Sequence, residues 1–388
     1  MGCNLPGSTK LELTEEQVSE ITQNSDAIFY THYHSDHVGL FHLVDKKIPQ
    51  YIGVGAKDVM LCKYSRLGDE AKIEAVKRMK NYNVAEKIDV SGKGEIFMTP
   101  YFVSHSAFDA YMFKIECDGK VILHTGDFRK HGYLGKGLFP TLEKLVGKVD
   151  VLIIEGTMLD RKHEIVLNEI DIKRNTAEFL KKHKYVFALG SSTDMDRLAS
   201  FHAACKETGR LFLADSYQKD VLDIFTEHAG MKSNLFKFDR IFKIGDIKAE
   251  KVQRKLKKDG FLMPVRMSGF RKICEMLDVY ADEPAWLIYS MWDGYAEKGS
   301  EYAVAEVTEI RDLFGNRIMD GSKDGFHTSG HADVDILRTV CETVKPEIGI
   351  IPIHRDKDSC FESIFEDNSY KVFNEGEYEF KNLKISVK

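Results

Sequence analysis

Short apolar runs alternate along this chain with longer segments in which apolar and polar residues are mixed. Apolar runs of four to eight residues bounded by turn residues are typical of strands, and apolar residues three and four apart indicate helices. The alternation predicts an α/β protein. The predicted strands are 26–30, 50–54, 95–103, 111–117, 120–124, 149–154, 185–189, 211–214, 286–291 and 347–353, with a closing pair in 370–387. The predicted helices are 15–23, 40–44, 57–80, 173–182, 194–207 and 334–344, with a further helical face over 237–258.

The pattern changes near residue 170. From there strand, tight turn, helix and strand follow one another up to residue 214. This order is typical of parallel α/β units, so we expect a second unit with its own sheet. A chain of 388 residues is long enough for two domains of ordinary size.

Composition limits the class of protein. Hydrophobic residues make up 43% and charged residues 30% of the chain, as in a soluble globular protein, and no apolar run reaches the length of a membrane span. Seven cysteines without a C-x-x-C pair favour reduced thiols and a cytoplasmic location. The net charge of −6 provides no general attraction to nucleic acid, so a site for a polyanion must be a local patch or a metal centre.

The densest group of candidate ligands follows the first predicted strand. His32, His34, Asp36 and His37 lie within six residues, in the spacing H-x-H-x-D-H. Imidazole nitrogens and carboxylate oxygens are the donors that zinc and similar divalent ions prefer. The alternative interpretation is a polar loop whose histidines are solvated or hydrogen-bonded, but this spacing rarely arises by chance.

Five further polar residues stand at the tips of predicted strands or just before a predicted helix. They are His105, Asp127, Glu155, His331 and His354. Functional groups gather at strand ends in parallel and mixed sheets. A buried carboxylate without a partner is costly, which favours a functional role for Glu155.

These motifs resemble those of the metallo-β-lactamase superfamily. The resemblance implies an αββα sandwich that holds two divalent metal ions, expected to be Zn²⁺ with Mn²⁺ as the alternative. It also implies the ligands: His32, His34 and His105 for the first ion, Asp127 as the bridge, and Asp36, His37 and His354 for the second. Several strands precede the histidine motif in that fold, and here there is room for almost none. The N-terminal strands are therefore expected to be missing.

The chain further resembles the β-CASP branch of that superfamily, which includes RNase J and the endonuclease that cleaves pre-mRNA before polyadenylation. Glu155, His331 and His354 match the three marks of the branch in order, although the third is followed by Arg-Asp where the branch usually has Gly-Glu. The resemblance implies an inserted β-CASP α/β domain. The expected domains are 1–169 and 321–388 for the metallo-β-lactamase domain and 170–320 for the insertion.

The expected function is a dinuclear metal-dependent phosphodiesterase or ribonuclease that uses a metal-bridging hydroxide. Asp36 would orient the hydroxide, and His331, oriented by Glu155, would act on the leaving oxygen. The residues expected to bind the phosphate are His327, Ser329 and Gly330. The expected partner is RNA or single-stranded nucleic acid, without a membrane, and a homodimer is left open. The alternatives are a hydrolase of a small ester, lactone or thioester, and a non-catalytic binding protein.

Overall fold

A computed structural model describes residues 13–161, 166–245, 247–297, 299–300, 302–367, 369–374, 378–381 and 384–387. The chain divides into two units, which are described separately. The first unit contains residues 1–163 and 330–388, and the second contains residues 164–329. The proposal that residues 170–320 form a β-CASP insertion stays a prediction.

The described residues form the mixture of strands and helices that the sequence pattern predicts. The strands are β1 Ile28–Phe29, β2 Gln50–Gly53, β3 Lys80–Tyr82, β4 Ile88–Asp89, β5 Ile96–Val103, β6 Ala110–Cys117, β7 Lys120–His124, β8 Val151–Glu155, β9 Tyr185–Leu189, β10 Leu211–Ala214, β11 Ile241–Lys243, β12 Phe261–Val265, β13 Ala285–Tyr289, β14 Ile318–Asp320, β15 Gly349–Ile353, β16 Tyr378–Lys381 and β17 Lys384–Val387. The α-helices are α1 Glu15–Thr22, α2 Ser35–Val38, α3 Val54–Leu67, α4 Glu70–Arg78, α5 Leu138–Thr141, α6 Glu169–Lys182, α7 Met195–Thr208, α8 Ser216–Phe225, α9 Glu250–Asp259, α10 Phe270–Val279, α11 Ala305–Phe314 and α12 Val334–Val344.

A six-stranded mixed sheet is the main framework of the first unit. Its order is β15-β8-β7-β6-β5-β4, with β15, β8 and β7 parallel and the remaining pairs antiparallel. The hairpin of β6 and β7 turns at Asp118 and Gly119, as predicted, and both residues have positive φ (50° and 70°). An Asp-Gly pair is suited to this turn because aspartate tolerates positive φ and glycine adopts it freely.

The apolar core of the first unit explains why this sheet forms. Leu123, Leu152 and Ile154 are fully buried in it. Leu337 and Val344 of α12 belong to the same core, at the helical spacing that the sequence shows. The sequences of β7 and β8 are apolar over most of their length, as expected for strands that pack in such a core.

A smaller sheet in the first unit consists of β1, β2 and β3, all parallel. Phe29 of β1 stacks on Tyr51, with ring centroids 4.5 Å apart, and its ring meets the edge of Phe113 at 6.0 Å. The backbone carbonyl of Thr31 accepts a hydrogen bond from the N–H of Tyr111 (2.9 Å). These contacts hold the segment that follows β1 in place beside β6.

The second unit contains a six-stranded sheet in which all neighbouring strands are parallel, in the order β11-β10-β12-β9-β13-β14. The prediction of a separate parallel α/β unit is confirmed. Strand β9 is completely buried, as its uninterrupted apolar sequence indicates. Arg197 of α7 is also buried, and its guanidinium pairs with the buried carboxylate of Glu169 (3.0 Å).

Three helix predictions were wrong in their extent. The predicted helix 57–80 is interrupted at Gly68, whose φ of +68° ends α3 before α4 begins. The segment 237–258 contains strand β11 as well as α9, because the apolar part of the segment pairs with β10. The segment 40–44 forms only a short 3-10 helix, Phe41–Leu43.

Among the described residues, β1 is the first strand and α1 precedes it. Within the described residues, every helix is too short or too polar to cross a membrane.

Candidate metal centre

The loop after β1 carries the first four candidate ligands. His34 precedes the single turn of α2, and its carbonyl accepts hydrogen bonds from the N–H groups of His37 and Val38 (both 3.0 Å). The backbone is therefore extended at His34 and helical at Asp36. The Oγ1 of Thr31 lies 3.1 Å from the Nδ1 of His32, whose side chain is fully buried.

His105 follows β5 and reaches the same place from a different strand. Its Nδ1–H donates to the carbonyl oxygen of Gly330 (2.7 Å), and its Nε2 lies 3.2 Å from the Nδ1 of His34. A side chain at residue 330 would collide with Ser106, so glycine permits this close approach. The backbone of Gly330 thus orients His105.

Asp127 follows β7 through Gly126, whose φ is +57°. A Cβ on Gly126 would lie 2.9 Å from the carbonyl of Tyr111 and 3.0 Å from Thr31, so the chain can pass here only with glycine. One oxygen of Asp127, Oδ2, lies within 4 Å of five imidazoles. The distances are 3.0 Å to Nε2 of His37, 3.6 Å to Nε2 of His354, 3.8 Å to Nε2 of His32, 3.9 Å to Nε2 of His105 and 3.9 Å to Nδ1 of His331. This central position is the one that a bridging carboxylate needs.

Glu155 closes β8 and is fully buried. Its Oε1 accepts hydrogen bonds from the backbone N–H groups of Phe128 (2.9 Å) and Ala332 (3.4 Å). Its Oε2 accepts from the N–H of Thr157 (3.4 Å) and from Nδ1 of His331 (2.9 Å). The carboxylate therefore has four donors, and it orients the His331 ring through Nδ1.

His354 follows β15. Ile353 lies opposite Glu155 in the parallel pair of β15 and β8, so the two strands bring His354 and Glu155 to the same edge of the sheet. The Nε2 of His354 lies 3.0 Å from Oδ2 of Asp36, and its Nδ1 lies 2.6 Å from Oγ1 of Thr157.

The candidate ligand atoms form overlapping groups in which all members lie within 4.8 Å of one another. Two of these groups match the sets predicted for the two ions. They are His32 with His34 and His105, and Asp36 with His37 and His354. Asp127 belongs to a group with His32 and His37 and to another with His105 and His331.

Burial controls the protonation of the first set. It lowers the pKa of His34 to about 4 and, together with the neighbouring histidines, holds the pKa values of His32 and His105 well below the usual range. These imidazoles are therefore neutral near pH 7, which is the form that binds a metal ion.

A carboxylate must be ionised to bind a metal ion, and Asp127 meets this requirement. Burial alone would raise the pKa of Asp127, but the charges of His37 and His354 outweigh burial and hold this pKa well below its usual range. Burial lowers the pKa of His354, whereas Asp127 and a hydrogen bond with Asp36 raise it, and the result is a pKa of about 9. Without a cation, the proton on His354 thus compensates the two carboxylates.

The residues fit a divalent metal pair. In the part of the chain that the structure describes, Nε2 of His32 and Oδ1 of Asp127 are buried and have no hydrogen-bond partner. Buried polar atoms in proteins are nearly always paired, and both of these atoms are of the kind that coordinates a cation. Nitrogen and carboxylate donors suit zinc, and manganese accepts the same set.

Not every predicted site residue lies in this cluster. His327 and Ser329 belong to the second unit, where Nδ1 of His327 lies 3.4 Å from the guanidinium of Arg197. Their predicted role in phosphate binding stays a prediction. Sequence reasoning missed Thr31 and Thr157, whose hydroxyls contact the ring nitrogens of His32 and His354. The sequence offered one signal for these contacts, namely that Thr31 directly precedes the histidine motif.

The chain is similar to known proteins in part of its sequence and in its fold. Residues 9–196 match the family model described as "Beta-lactamase superfamily domain". The structure is similar to a crystal structure of a protein of unknown function from Enterococcus faecalis V583, with a TM-score of 0.65 and 18% sequence identity over 90% of this chain and 79% of that chain. That likeness shows the fold alone. Proteins of the superfamily are generally hydrolytic metalloenzymes. The match covers slightly less than half of the chain, and together with the clustered histidines and carboxylates it is compatible with a metallo-hydrolase.

Proposed function

We propose that this chain is a metal-dependent phosphodiesterase of the β-CASP type that cleaves RNA or single-stranded nucleic acid. The proposal goes beyond the metallo-hydrolase chemistry that the cluster supports, because it names the substrate. The observation that carries it is the pair of His331 and Glu155 beside the cluster. A metal pair can activate water without this pair, so a separately oriented histidine indicates a further demand of the reaction.

Cleavage of a phosphodiester releases an alkoxide, and the reaction needs an acid that protonates this leaving oxygen. The Nδ1 of His331 lies 2.9 Å from Glu155 and 3.9 Å from Asp127, so the ring stands at the edge of the cluster. With Nδ1 donating to Glu155, the other ring nitrogen of His331 is the atom that can deliver a proton to the leaving oxygen. A positioned histidine of this kind contributes about 10²- to 10⁴-fold to the rate.

The remaining side chains of the cluster would bind the cations and orient the attacking water. Two bound divalent cations would supply Lewis-acid polarisation of the phosphate and a lower pKa of the attacking water. His32, His34 and His105 would hold one cation, and Asp36, His37 and His354 would hold the other, with Asp127 between them. Asp36 is the more exposed of the two aspartates, with 28% of its side chain accessible against 1% for Asp127. Asp36 is therefore also placed to orient the attacking water.

The β-CASP assignment has two supports. Glu155, His331 and His354 occur in the order of the three marks of that branch. The second unit, residues 164–329, is a parallel α/β unit whose ends in the sequence lie between Glu155 and His331.

The alternative is a hydrolase of a small ester, lactone or thioester. The net charge of −6 favours it to some extent, because a nucleic acid gains no general attraction from such a protein. The His331–Glu155 pair favours the phosphodiester, since a carboxylic ester hydrolysed by an activated water makes less demand on a separate acid.

The test compares substrates and variants. The wild-type protein is loaded with Zn²⁺ or Mn²⁺ and incubated with end-labelled single-stranded RNA, single-stranded DNA, p-nitrophenyl acetate and a thioester. We expect cleavage of RNA or DNA that stops with a chelator and returns with metal. The variant His331→Ala should keep two metal ions and lose about 10²- to 10⁴-fold in activity.

The matched control is His42→Ala. His42 is a partly exposed histidine of the first unit that belongs to none of the ligand groups, so its loss should leave activity unchanged. Two bound metal ions without cleavage of either polymer would contradict the proposal, and turnover of the small esters by that protein would establish the alternative. Full activity of the His331→Ala variant with both ions bound would refute the role of His331.

A further inference from the structure

The threonine two residues after Glu155 contacts His354 twice. The Oγ1 of Thr157 lies 2.6 Å from the Nδ1 of His354 and 3.0 Å from its carbonyl oxygen. Thr157 and His354 are both buried, and the two contacts join strand ends that are almost 200 residues apart in the sequence. A hydroxyl that holds both the ring and the backbone of one residue restricts that residue in two independent ways.

The backbone of His354 needs such a restraint. Its φ is +49°, a left-handed conformation that residues other than glycine rarely adopt. The surroundings must hold a residue in this conformation, because it is unfavourable by itself. The N–H of Gly156 and the hydroxyl of Thr157 both point to the carbonyl oxygen of His354, at 3.4 Å and 3.0 Å.

The hydrogen-bonding capacity of one hydroxyl fixes the tautomer of His354. A threonine hydroxyl donates one hydrogen bond and can accept others. A carbonyl oxygen can only accept, so the Thr157 hydroxyl donates to the His354 carbonyl. The contact with Nδ1 must then be donated by the ring. Nδ1 therefore carries a proton, and once the ring is neutral the lone pair for a cation is on Nε2, the atom that lies 3.0 Å from Asp36.

We propose that Thr157 is a positioning residue for the second cation: its hydroxyl selects the tautomer of His354 and holds the left-handed turn that aims Nε2 at Asp36 and Asp127. The inference rests on the proposed metal pair. It does not depend on the substrate, so its test uses metal binding and ring tautomer and needs no activity.

The neighbouring arginine restrains the chain on the other side of the turn. The guanidinium of Arg355 donates from Nη1 to the carbonyl of Ser359 (2.6 Å) and from Nη2 to the carbonyl of Asn374 (3.3 Å). These bonds restrain the chain after His354 but do not touch the imidazole. Among these contacts, the Thr157 hydroxyl alone links the ring orientation to the backbone turn.

The experiment measures zinc affinity in buffers of fixed free Zn²⁺ concentration, with bound zinc read by atomic emission. The test variant is Thr157→Val, which keeps the shape and removes the hydroxyl. Thr157→Ser keeps the hydroxyl and serves as the rescue. The matched control is Thr176→Val, because Thr176 is a fully buried threonine whose hydroxyl has no hydrogen-bond partner among the described residues.

We expect the wild type to bind two zinc ions per chain. Thr157→Val should bind one ion normally and the other about 10- to 100-fold more weakly, the usual effect of losing a group that orients a ligand. Thr157→Ser should recover most of this loss, and Thr176→Val should match the wild type. Two sites of wild-type affinity in Thr157→Val would overturn the proposal, as would a Thr157→Ser variant as weak as Thr157→Val.

A second measurement covers the case in which Thr157→Val does not fold. Long-range ¹⁵N–¹H correlation spectra of wild-type protein with labelled histidine report which ring nitrogen carries the proton, and loss of one signal set in His354→Gln identifies His354. We expect Nδ1–H with Nε2 bound to zinc, and the reverse pattern would overturn the proposal. A wild-type protein that binds no zinc would refute the metal pair and the proposed function, whereas two normal sites in Thr157→Val would refute only the role of Thr157.

Discussion

Replacing Glu155 by glutamine tests whether this carboxylate holds the site together. The change keeps the size of the side chain but turns one acceptor oxygen into an NH₂ group. Oε1 receives two backbone N–H donors, and Oε2 receives one backbone N–H and the Nδ1–H of His331. Whichever way the amide is placed, its NH₂ group faces two donors and can accept from neither.

The magnitude follows from these two lost acceptors. A buried donor left without an acceptor costs about 1–3 kcal/mol, so the first unit should lose about 2–6 kcal/mol of stability. In a unit of about 220 residues, each kcal/mol corresponds to about 2–4 °C in the melting midpoint, so Glu155→Gln should lower it by at least about 4 °C. Phosphodiesterase activity should fall by about 10²- to 10⁴-fold, because His331 loses its orientation.

The assay is differential scanning calorimetry together with the nucleic-acid cleavage assay described above. Glu74→Gln is the control, since Glu74 is an exposed glutamate of the first unit that forms a surface ion pair with Lys77. It should melt and react like the wild type. If Glu155→Gln melts within about 1 °C of the wild type and keeps full activity, Glu155 neither holds the site together nor orients His331.

Three other predictions concern different parts of the molecule. Asp127→Asn should reduce bound metal from two ions to at most one, because one oxygen of Asp127 lies within 4 Å of histidines of both predicted ligand sets; atomic emission that still finds two ions would contradict the bridge. Arg197→Met should cost about 3–5 kcal/mol, since it leaves the buried carboxylate of Glu169 without its cation, whereas the exposed Arg254→Met should melt normally; equal melting of the two would disprove this reasoning. Metal binding should release a proton from His354 at pH 7 and cease to do so above its pKa of about 9, so metal affinity should rise with pH up to that value. Calorimetric titration in buffers of different ionisation enthalpy measures this release, and heats that do not depend on the buffer would contradict it.

The sequence could point to several candidate ligands because each of them comes directly after an apolar run. His105, Asp127 and Glu155 come at or within three residues of the end of a strand that the core buries, and this change from apolar to polar is visible without a structure. The helix 57–80 was misjudged because Gly68 is a single residue in a charged segment, and its positive φ has no mark in the pattern beyond the glycine itself.

What the sequence could not show is the pairing of distant strands. Ile353 lies opposite Glu155, and this register decides that Thr157 meets His354. Neither segment carries a local signal for the other. In the same way, nothing near His105 indicates that its ring donates to the carbonyl of Gly330.

Three of these contacts have the same effect, which the spacing of the ligands in the sequence does not reveal: each orients a histidine ring through Nδ1. The Nδ1 atoms of His32, His105 and His354 each face an oxygen, from Thr31, Gly330 and Thr157. Each contact leaves Nε2 directed at Asp127, at 3.8, 3.9 and 3.6 Å. Three rings from three separate segments are thus oriented before any cation arrives, and the cost of ordering them is met during folding rather than during binding. Affinity for the cations therefore depends on two hydroxyls and a backbone carbonyl as well as on the histidines themselves.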